Sequence, residues 1–338
     1  MCSPQYRRGL RPLRLRDGTS YRSVRRRLVI PLDEIRRARE RIGDDVLRTP
    51  LVPFEHDGRI RLKLECLQPV GSFKLRGALS AVRAASTGEL AAGVVTASAG
   101  NMAQGVAWAA REAGVAARVI CPDGAPRAKL DRIEALGGEV VPVTHEEWWQ
   151  AMLERGRDGV DGFFVHPVTD EAVLAGNGTI GLELVEDAPE FDTVVIPWGG
   201  GGLTTGIASA VKTLRPDTRV VTAEPDTAAP LAAAFEAGEP RAIEFTPSWI
   251  DGAGGPALLP GMWEHARGLV DEAVAVPLPE VEEAVRLLVS RAHVVAEGAG
   301  ALALAAALRR DDRCICIVSG GNIDPDVLAG IVSPAAAA

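Results

Sequence analysis

The chain has 338 residues, 47% of them hydrophobic and 24% charged, an ordinary globular balance. That length allows two domain-sized cores, or one large α/β unit with a lobe. A net charge of −8 argues against a nucleic-acid surface over the body of the protein, and apolar runs such as Ala301 to Leu308 are too short to span a bilayer.

Residues 1–28 depart from that balance, with nine arginines and Asp17 as the only acid in the first 27 positions. Basic, acid-poor leaders can be organelle-targeting segments or nucleic-acid arms. This one lacks the apolar core of a secretory signal, and Leu28-Val29-Ile30-Pro31 after Arg25-Arg26-Arg27 is too short for export. A disordered appendage without catalysis is expected there, and 334–338 reads as a tail. Five cysteines, Cys2, Cys66, Cys121, Cys314 and Cys316, show no paired framework. Cys314 and Cys316 fall on one face of a strand, without the nearby histidines a zinc site needs. Buried free thiols in a reducing cytoplasm are the expectation.

The segment Gly71-Ser72-Phe73-Lys74-Leu75-Arg76-Gly77-Ala78 opens a helix near Leu75 and holds one of only four lysines, against thirty-three arginines. Lysine, unlike arginine, can lose its proton when desolvated and then condense with a carbonyl to form a Schiff base. Helix capping or snorkelling is the plainer role for Lys74 taken alone.

From Gly93 onward, β-branched runs alternate with Ala-rich helical stretches. The first series predicts strands at 93–97, 117–121, 139–143 and 163–165, and helices at 102–113, 126–136 and 145–157. The second predicts strands at 193–197, 218–223, 273–276 and 313–319, and helices at 203–214, 228–237, 279–291 and 300–308. Residues 246–261, dense in Gly and Pro, read as a long loop of the kind that often carries function. The alternation implies βαβ crossovers, hence an α/β protein of two lobes. Each lobe is a mostly parallel twisted sheet flanked by helices, with ligands in the cleft at the C-terminal strand ends. Lobe boundaries fall near Leu90–Gly93 and His166–Asp170.

Three of those strand ends carry anion-binding chemistry. Gly199-Gly200-Gly201-Gly202 lies between a strand and the helix from Leu203, where backbone N–H groups and the helix dipole suit a phosphate. Ser98-Ala99-Gly100-Asn101 occupies the equivalent turn of the first series. It can be a simple helix cap, or it can receive a carboxylate on exposed N–H groups. Ser319-Gly320-Gly321-Asn322 follows the last strand and reads as a turn or a ligand contact. Two acids stand nearby in the pattern: Glu224 before Pro225, and Glu297 in Glu297-Gly298-Ala299-Gly300, each also explicable as a charge near a helix N-terminus. A reactive amine, a phosphate cup, a carboxylate cup and a hydroxyl suit a phosphorylated aldehyde, pyridoxal 5′-phosphate, better than a nucleotide.

On these residues the chain resembles the serine/threonine dehydratase branch of the tryptophan-synthase-β-like, fold type II pyridoxal-phosphate enzymes. The match runs from about Ile30 to Val332. It adds Lys63-Leu64-Glu65, His166-Pro167, Ala175-Gly176-Asn177-Gly178-Thr179 and Asp251-Gly252 to the motifs above. The resemblance implies that Lys74 carries the Schiff base with the cofactor, that Phe73 packs on its ring and that Asn101 bonds the ring hydroxyl oxygen. It places Gly199, Gly200, Gly201, Gly202 and Leu203 at the phosphate and Ser319 at the pyridine nitrogen. Ser98, Ala99, Gly100, Asn101 and Met102 would receive the substrate carboxylate. Residues 29–92 and 169–333 would form a large cofactor-binding domain, and 93–168 a small mobile one. A homodimer follows from the same source, as does Lys74 acting as the α-proton base.

Several positions depart from that family. Racemising members carry a second-base serine where this chain has Ala99, so elimination is expected over racemisation. Met102 replaces a usual histidine. Cation-binding members follow the Glu-Pro acid with another acid six residues on, and here Glu224 is followed by Pro230, so no metal is assigned. Trp249 and Trp263 suit a β-substituent larger than methyl if they line the pocket, and are core otherwise. The chain ends soon after its last strand, and feedback control through a C-terminal regulatory domain is not expected. The function implied is dehydration and deamination of a β-hydroxy amino acid to a 2-oxo acid and ammonia. Serine, threonine, hydroxyaspartate, a phenylserine-like amino acid and a hydroxylated osmolyte derivative all remain open as substrates. The alternatives are a β-replacement synthase of the cysteine synthase type and a non-catalytic cofactor-binding protein.

Overall fold

The structure, a computed structural model, describes residues 29–333. The basic extension of 1–28 with its Cys2, and the tail of 334–338, lie outside the described residues. The chain enters through helix α1 (Leu32–Ile42), strands β1 (Leu51–Pro53) and β2 (Ile60–Lys63), and helix α2 (Lys74–Ala84). Then come β3 (Val94–Ala97), α3 (Asn101–Glu112), β4 (Ala117–Pro122), α4 (Arg127–Ala135), β5 (Gly138–Val143), α5 (His145–Glu154) and β6 (Phe163–Phe164). Next are α6 (Glu171–Asp187), β7 (Thr193–Pro197), α7 (Gly202–Leu214), β8 (Arg219–Pro225), α8 (Pro230–Ala237) and α9 (Met262–Leu269). Strand β9 (Glu272–Val276), α10 (Leu278–Leu287), α11 (Gly298–Ala307), β10 (Cys314–Ile317) and α12 (Pro325–Val332) complete the chain.

Two sheets result, one for each predicted series. The smaller has the order β5-β4-β3-β6 and is parallel throughout. The larger has the order β1-β2-β10-β7-β8-β9, parallel except where β1 pairs with β2. Both faces of the larger sheet are covered, because alternate residues of each strand point to opposite cores. Val195, Cys314 and Cys316 pack toward α10 and α11, whereas Val194, Ile196, Ile315 and Ile317 pack toward α7 and α9. The two cysteines therefore do share a face. Burial pushes the thiols of Cys66, Cys121 and Cys314 up to about 12, which keeps them protonated and inert.

Two differences from the sequence expectation have physical causes. Helix α10 stops four residues early: a π-helical turn over Leu288–Ala292 follows, and His293 at φ 58° ends it. Helix α6 was not expected at all. Its residues Val173 to Leu184 are all buried, so no polar face marks its period, and Gly176, Gly178 and Gly181 lower its helix propensity. The glycines serve packing instead. A Cβ on Gly176 would stand 2.4 Å from the Arg76 carbonyl of α2, and one on Gly206 of α7 would stand 2.4 Å from the Leu174 carbonyl of α6. Helices α2, α6 and α7 thus touch backbone to backbone.

A buried ionic cluster joins these helices to the larger sheet. Arg76 donates to Glu65 through Nε and Nη2 at 2.8 Å each, and to Glu183 through Nη1 at 2.6 Å and Nη2 at 2.9 Å. Lys63 adds a bond to Glu183 at 2.5 Å, and Thr49 one to Glu65 at 2.6 Å. Burial alone would raise the Glu65 pKa, but the Arg76 guanidinium beside it outweighs that and holds it low. With a folded pKa below its unfolded value, Glu65 stabilises the fold at neutral pH, and that contribution is lost as pH falls through the folded pKa. Substituting Arg76→Met leaves two buried carboxylates facing one another. Chemical denaturation is expected to show a loss of roughly 3–5 kcal/mol, and a loss below about 1 kcal/mol would contradict this account.

Candidate active site

Lys74 is set in place by a short zipper. Ser72 bridges to Gly320, and the Phe73 N–H donates to the Ser319 carbonyl at 3.0 Å. Gly71 can join this contact because it sits at φ 72° and lacks a Cβ, which would stand 2.5 Å from Asn322 Oδ1. Lys74 is then the first residue of α2. Its Nζ donates to the carbonyl of Pro167 at 2.9 Å and lies 5.2 Å from the centre of the Phe73 ring. Capping does not explain this lysine, because a cation at a helix N-terminus opposes the dipole and its partner is 93 residues away. The residue keeps some contact with solvent, yet desolvation of the amine pushes its pKa down to about 8, with Glu297 pulling the other way. At that value a useful fraction is the free amine near neutral pH.

The four glycines form a cup at the end of β7. Gly201 is the residue before α7, at φ 93°, and the first turn of Gly202, Leu203 and Thr204 has no earlier turn to accept its N–H groups. The loop has no room for side chains: a Cβ on Gly201 would meet Trp198 Cη2 at 2.4 Å, and one on Gly200 would meet Val168 Cγ2 at 2.5 Å. Thr204 Oγ1 is buried in the same turn without a hydrogen-bond partner. Free N–H groups, a helix N-terminus and an unpaired hydroxyl fit a phosphate. The loop expected at 246–261 is present between α8 and α9, and it covers the cup, with Gly254 N–H donating to the Trp198 carbonyl at 2.8 Å. In that loop Asp251 forms an ion pair with Lys129 of α4.

A second cup lies at the end of β3. Gly100 precedes α3 and no side chain caps the helix; Ser98 Oγ instead accepts from Gly100 N–H at 3.2 Å. The capping explanation for Ser98 and Asn101 therefore fails, and the first N–H groups of α3 stay available for a carboxylate. Asn101, the first residue of α3, donates through Nδ2 to Glu297 Oε1 at 2.8 Å, and its Oδ1 accepts from Asn322 Nδ2 at 2.7 Å. An amide nitrogen has two hydrogens, so one remains for a ring oxygen. Burial raises the Glu297 pKa, against the Asn101 hydrogen bond that lowers it. Ala99 packs its methyl beside Ala103 and Cys121, and the Met102 side chain is buried with Leu75 and Val106. What Met102 offers a carboxylate is its backbone N–H.

Lys74, Phe73 and Ser319 meet through the zipper, while Asn101, Glu297 and Asn322 meet through side-chain hydrogen bonds. Pro167 and Val168 connect Lys74 to the glycine cup. The sequence alone points to no role for the Pro167 carbonyl, places Asn322 only in a turn or ligand contact, and offers Glu297 only as an acid near a helix N-terminus. A backbone acceptor has no residue-type signature, and the two side chains gain meaning only from Asn101 between them. Glu224 is not open to a ligand: both oxygens accept N–H groups of Leu231 and Ala232, at 3.1 and 2.9 Å, and burial pushes its pKa up to about 7. Trp263 stacks edge-on against Phe235 with centres 5.5 Å apart, which is core packing. Trp249 packs against Gly298, beside Glu297, and its Nε1 is buried without a partner.

The family described as pyridoxal-phosphate dependent enzyme matches residues 42–320. An L-threonine ammonia-lyase of Thermotoga maritima is 38% identical over 318 residues, covering 90% of this chain and 79% of that protein. The solved structure of maize serine racemase superposes with a TM-score of 0.83 at 32% identity, covering 89% of this chain and 98% of that one. The processed form of threonine deaminase isoform 2 from Solanum lycopersicum gives 0.78 at 28% identity, covering 89% and 93%. The chain belongs to the pyridoxal-phosphate dependent enzymes of fold type II. Its cofactor is pyridoxal 5′-phosphate, and the residues described above suit it.

Lys74→Ala is expected to abolish both the visible absorbance of bound cofactor and turnover; retained turnover would refute its role as base. Only the free amine takes up the aldehyde, so cofactor uptake by cofactor-free protein should rise with pH to a plateau with a midpoint near 8. A midpoint near the ordinary 10.5 would show that the amine is not desolvated. Gly201→Ala should weaken cofactor binding by on the order of tenfold or more, read by absorbance titration, because the new methyl collides with Trp198 and strains the backbone.

Proposed function

We propose that the enzyme dehydrates and deaminates a β-hydroxy amino acid, with L-threonine as the first candidate, releasing a 2-oxo acid and ammonia. The observation that carries this reading is the desolvated Lys74 amine on the Pro167 carbonyl, with no second proton carrier at Ala99. The names of the relatives support the substrate class.

Bound pyridoxal 5′-phosphate supplies the electron sink that makes loss of the α-proton feasible. The N–H groups at the start of α3 hold the substrate carboxylate, which fixes the Cα–H bond toward Lys74. The Lys74 amine takes that proton as general base; the β-hydroxyl then accepts one proton, which the ammonium so formed can return, and leaves as water. The enamine product then tautomerises and takes up one water to release ammonia, so the net change is amino acid to 2-oxo acid plus ammonia. Ser319, a neutral hydroxyl, would by family resemblance face the ring nitrogen and leave it unprotonated, which would favour elimination. Ala99 has no proton to return to the opposite face.

The same reading assigns residues 29–92 and 169–333 to a cofactor-binding domain and 93–168 to a mobile substrate domain. The separate sheet formed by β3 to β6 supports that division. A homodimer is proposed on family resemblance, and a cytoplasmic location on the four free thiols. Among the described residues no helix is long and apolar enough to cross a membrane.

The deciding experiment incubates the holoenzyme with L-threonine, L-serine, β-hydroxyaspartate and phenylserine and scores 2-oxo acid and ammonia without added nucleophile. Elimination from at least one is expected, with the 2-oxo acid outpacing any D-enantiomer. Product that forms only with an added thiol, or a racemate that forms faster than the 2-oxo acid, would overturn the reading.

A further inference from the structure

The carbonyl that holds Lys74 shares a planar peptide unit with the Val168 N–H, so whatever holds that N–H aims the Pro167 carbonyl. His166 does this. Its buried ring accepts, at Nδ1, the N–H groups of both Val168 and Thr169, each at 3.0 Å. Its own N–H donates to Asp170 Oδ2 at 2.7 Å, and Asp170 in turn forms an ion pair with Arg155 at the end of α5. The turn from 166 to 170 is therefore closed around one imidazole nitrogen.

That turn touches both halves of the cofactor site. Pro167 O accepts from Lys74 Nζ at 2.9 Å. Val168 lies against the glycine cup: a Cβ on Gly200 would meet its Cγ2 at 2.5 Å, and one on Gly202 would meet its carbonyl at 3.0 Å. A shift of the turn would move the amine's partner and the wall of the phosphate cup together. An Nδ1 that accepts hydrogen bonds holds a lone pair, so the ring proton of the neutral imidazole sits on Nε2. The pattern, a side-chain atom accepting the N–H groups of the second and third residues onward, resembles the turn that Asn or Asp makes with its own backbone. The Oδ1 of an asparagine stands the same number of bonds from Cα as the Nδ1 of histidine.

We propose that His166 is a positioning residue, which sets the Lys74 amine and the phosphate cup in register through the 166–170 turn by accepting two backbone hydrogen bonds at Nδ1. It acts through Pro167 and Val168 and touches neither substrate nor cofactor. The proposal does not depend on which amino acid is turned over.

The test compares His166→Ala and His166→Asn with the parent holoenzyme in two assays, one of which needs no substrate. In the first, cofactor is stripped and pyridoxal 5′-phosphate rebinding is followed by visible absorbance. In the second, kcat and KM are measured with the best substrate of the panel above. His166→Ala is expected to weaken rebinding and to lower kcat, each by roughly 10- to 100-fold, with a smaller change in KM, as befits a displaced reacting group. His166→Asn should restore most of both losses. Alanine behaving like the parent would overturn the proposal, and so would asparagine failing as badly as alanine, since the two accepted hydrogen bonds would then not be what matters. If His166→Ala does not fold, as judged by circular dichroism, the asparagine variant decides alone: near-parent rebinding supports the proposal and impaired rebinding rejects it. Failure of every amino acid in the panel would sink the proposed function and leave the rebinding result standing.

Discussion

The double ion pair of Arg76 with Glu65 and Glu183 is the interaction on which the site rests. Arg76 lies two residues beyond Lys74 in the first turn of α2, so whatever fixes its guanidinium fixes the start of that helix. One carboxylate belongs to the segment just after β2 and the other to α6, which ties α2 to the larger sheet and to the central helix at once. A buried pair of this kind adds little net stability over an apolar replacement, since both ions must be stripped of water. What it provides is geometry: two planar groups meet in few orientations. Lys63 and Thr49 complete the arrangement, so neither carboxylate is left to a single partner.

The second constraint is close approach of backbones. Helix α6 runs against α2 and α7 with glycine at each crossing, and the same device reappears at the phosphate cup and the Gly71 zipper. At the helix crossings a methyl group would displace main chain, whereas at the cup and the zipper it would collide with the packed side chains of Val168, Trp198 and Asn322. Function follows from that closeness. The cup exposes N–H groups because no side chain shields them, and Lys74 loses water because Pro167 and Phe73 stand next to it. An amine held this way is in part unprotonated near neutral pH, whereas an amine on the surface is an ammonium ion.

The eight strands from Gly93 onward were legible because each is a short β-branched run between turn residues, and they emerged within about two residues at most ends. Lys74, the glycine cup and the turn at Ser98 were legible because scarce or special residue types stood at strand ends. Helix α6 was not, since a helix buried on all sides shows no polar face and its glycines imitate a loop. The bonds of Asn101 were missed for a different reason. An asparagine after a strand reads as a cap, and only the fold brings Glu297 and Asn322, about two hundred positions along the chain, to its amide.

Residue chemistry and its order along the chain were thus enough to determine an α/β architecture, a glycine turn suited to a phosphate, a lysine suited to Schiff-base formation and the absence of an ionisable side chain at Ala99. These are local properties: strand patterning, helix starts, and what one side chain can or cannot ionise. Tertiary structure alone decided that Lys74 is a desolvated amine on the Pro167 carbonyl and not a cap, that Glu224 is spent on the start of α8, and that Trp263 belongs to the core. The physical reason is the same in each case. Desolvation and hydrogen-bond partnership depend on what stands a few ångströms away in space, and at this site those neighbours lie about a hundred residues away or more in sequence.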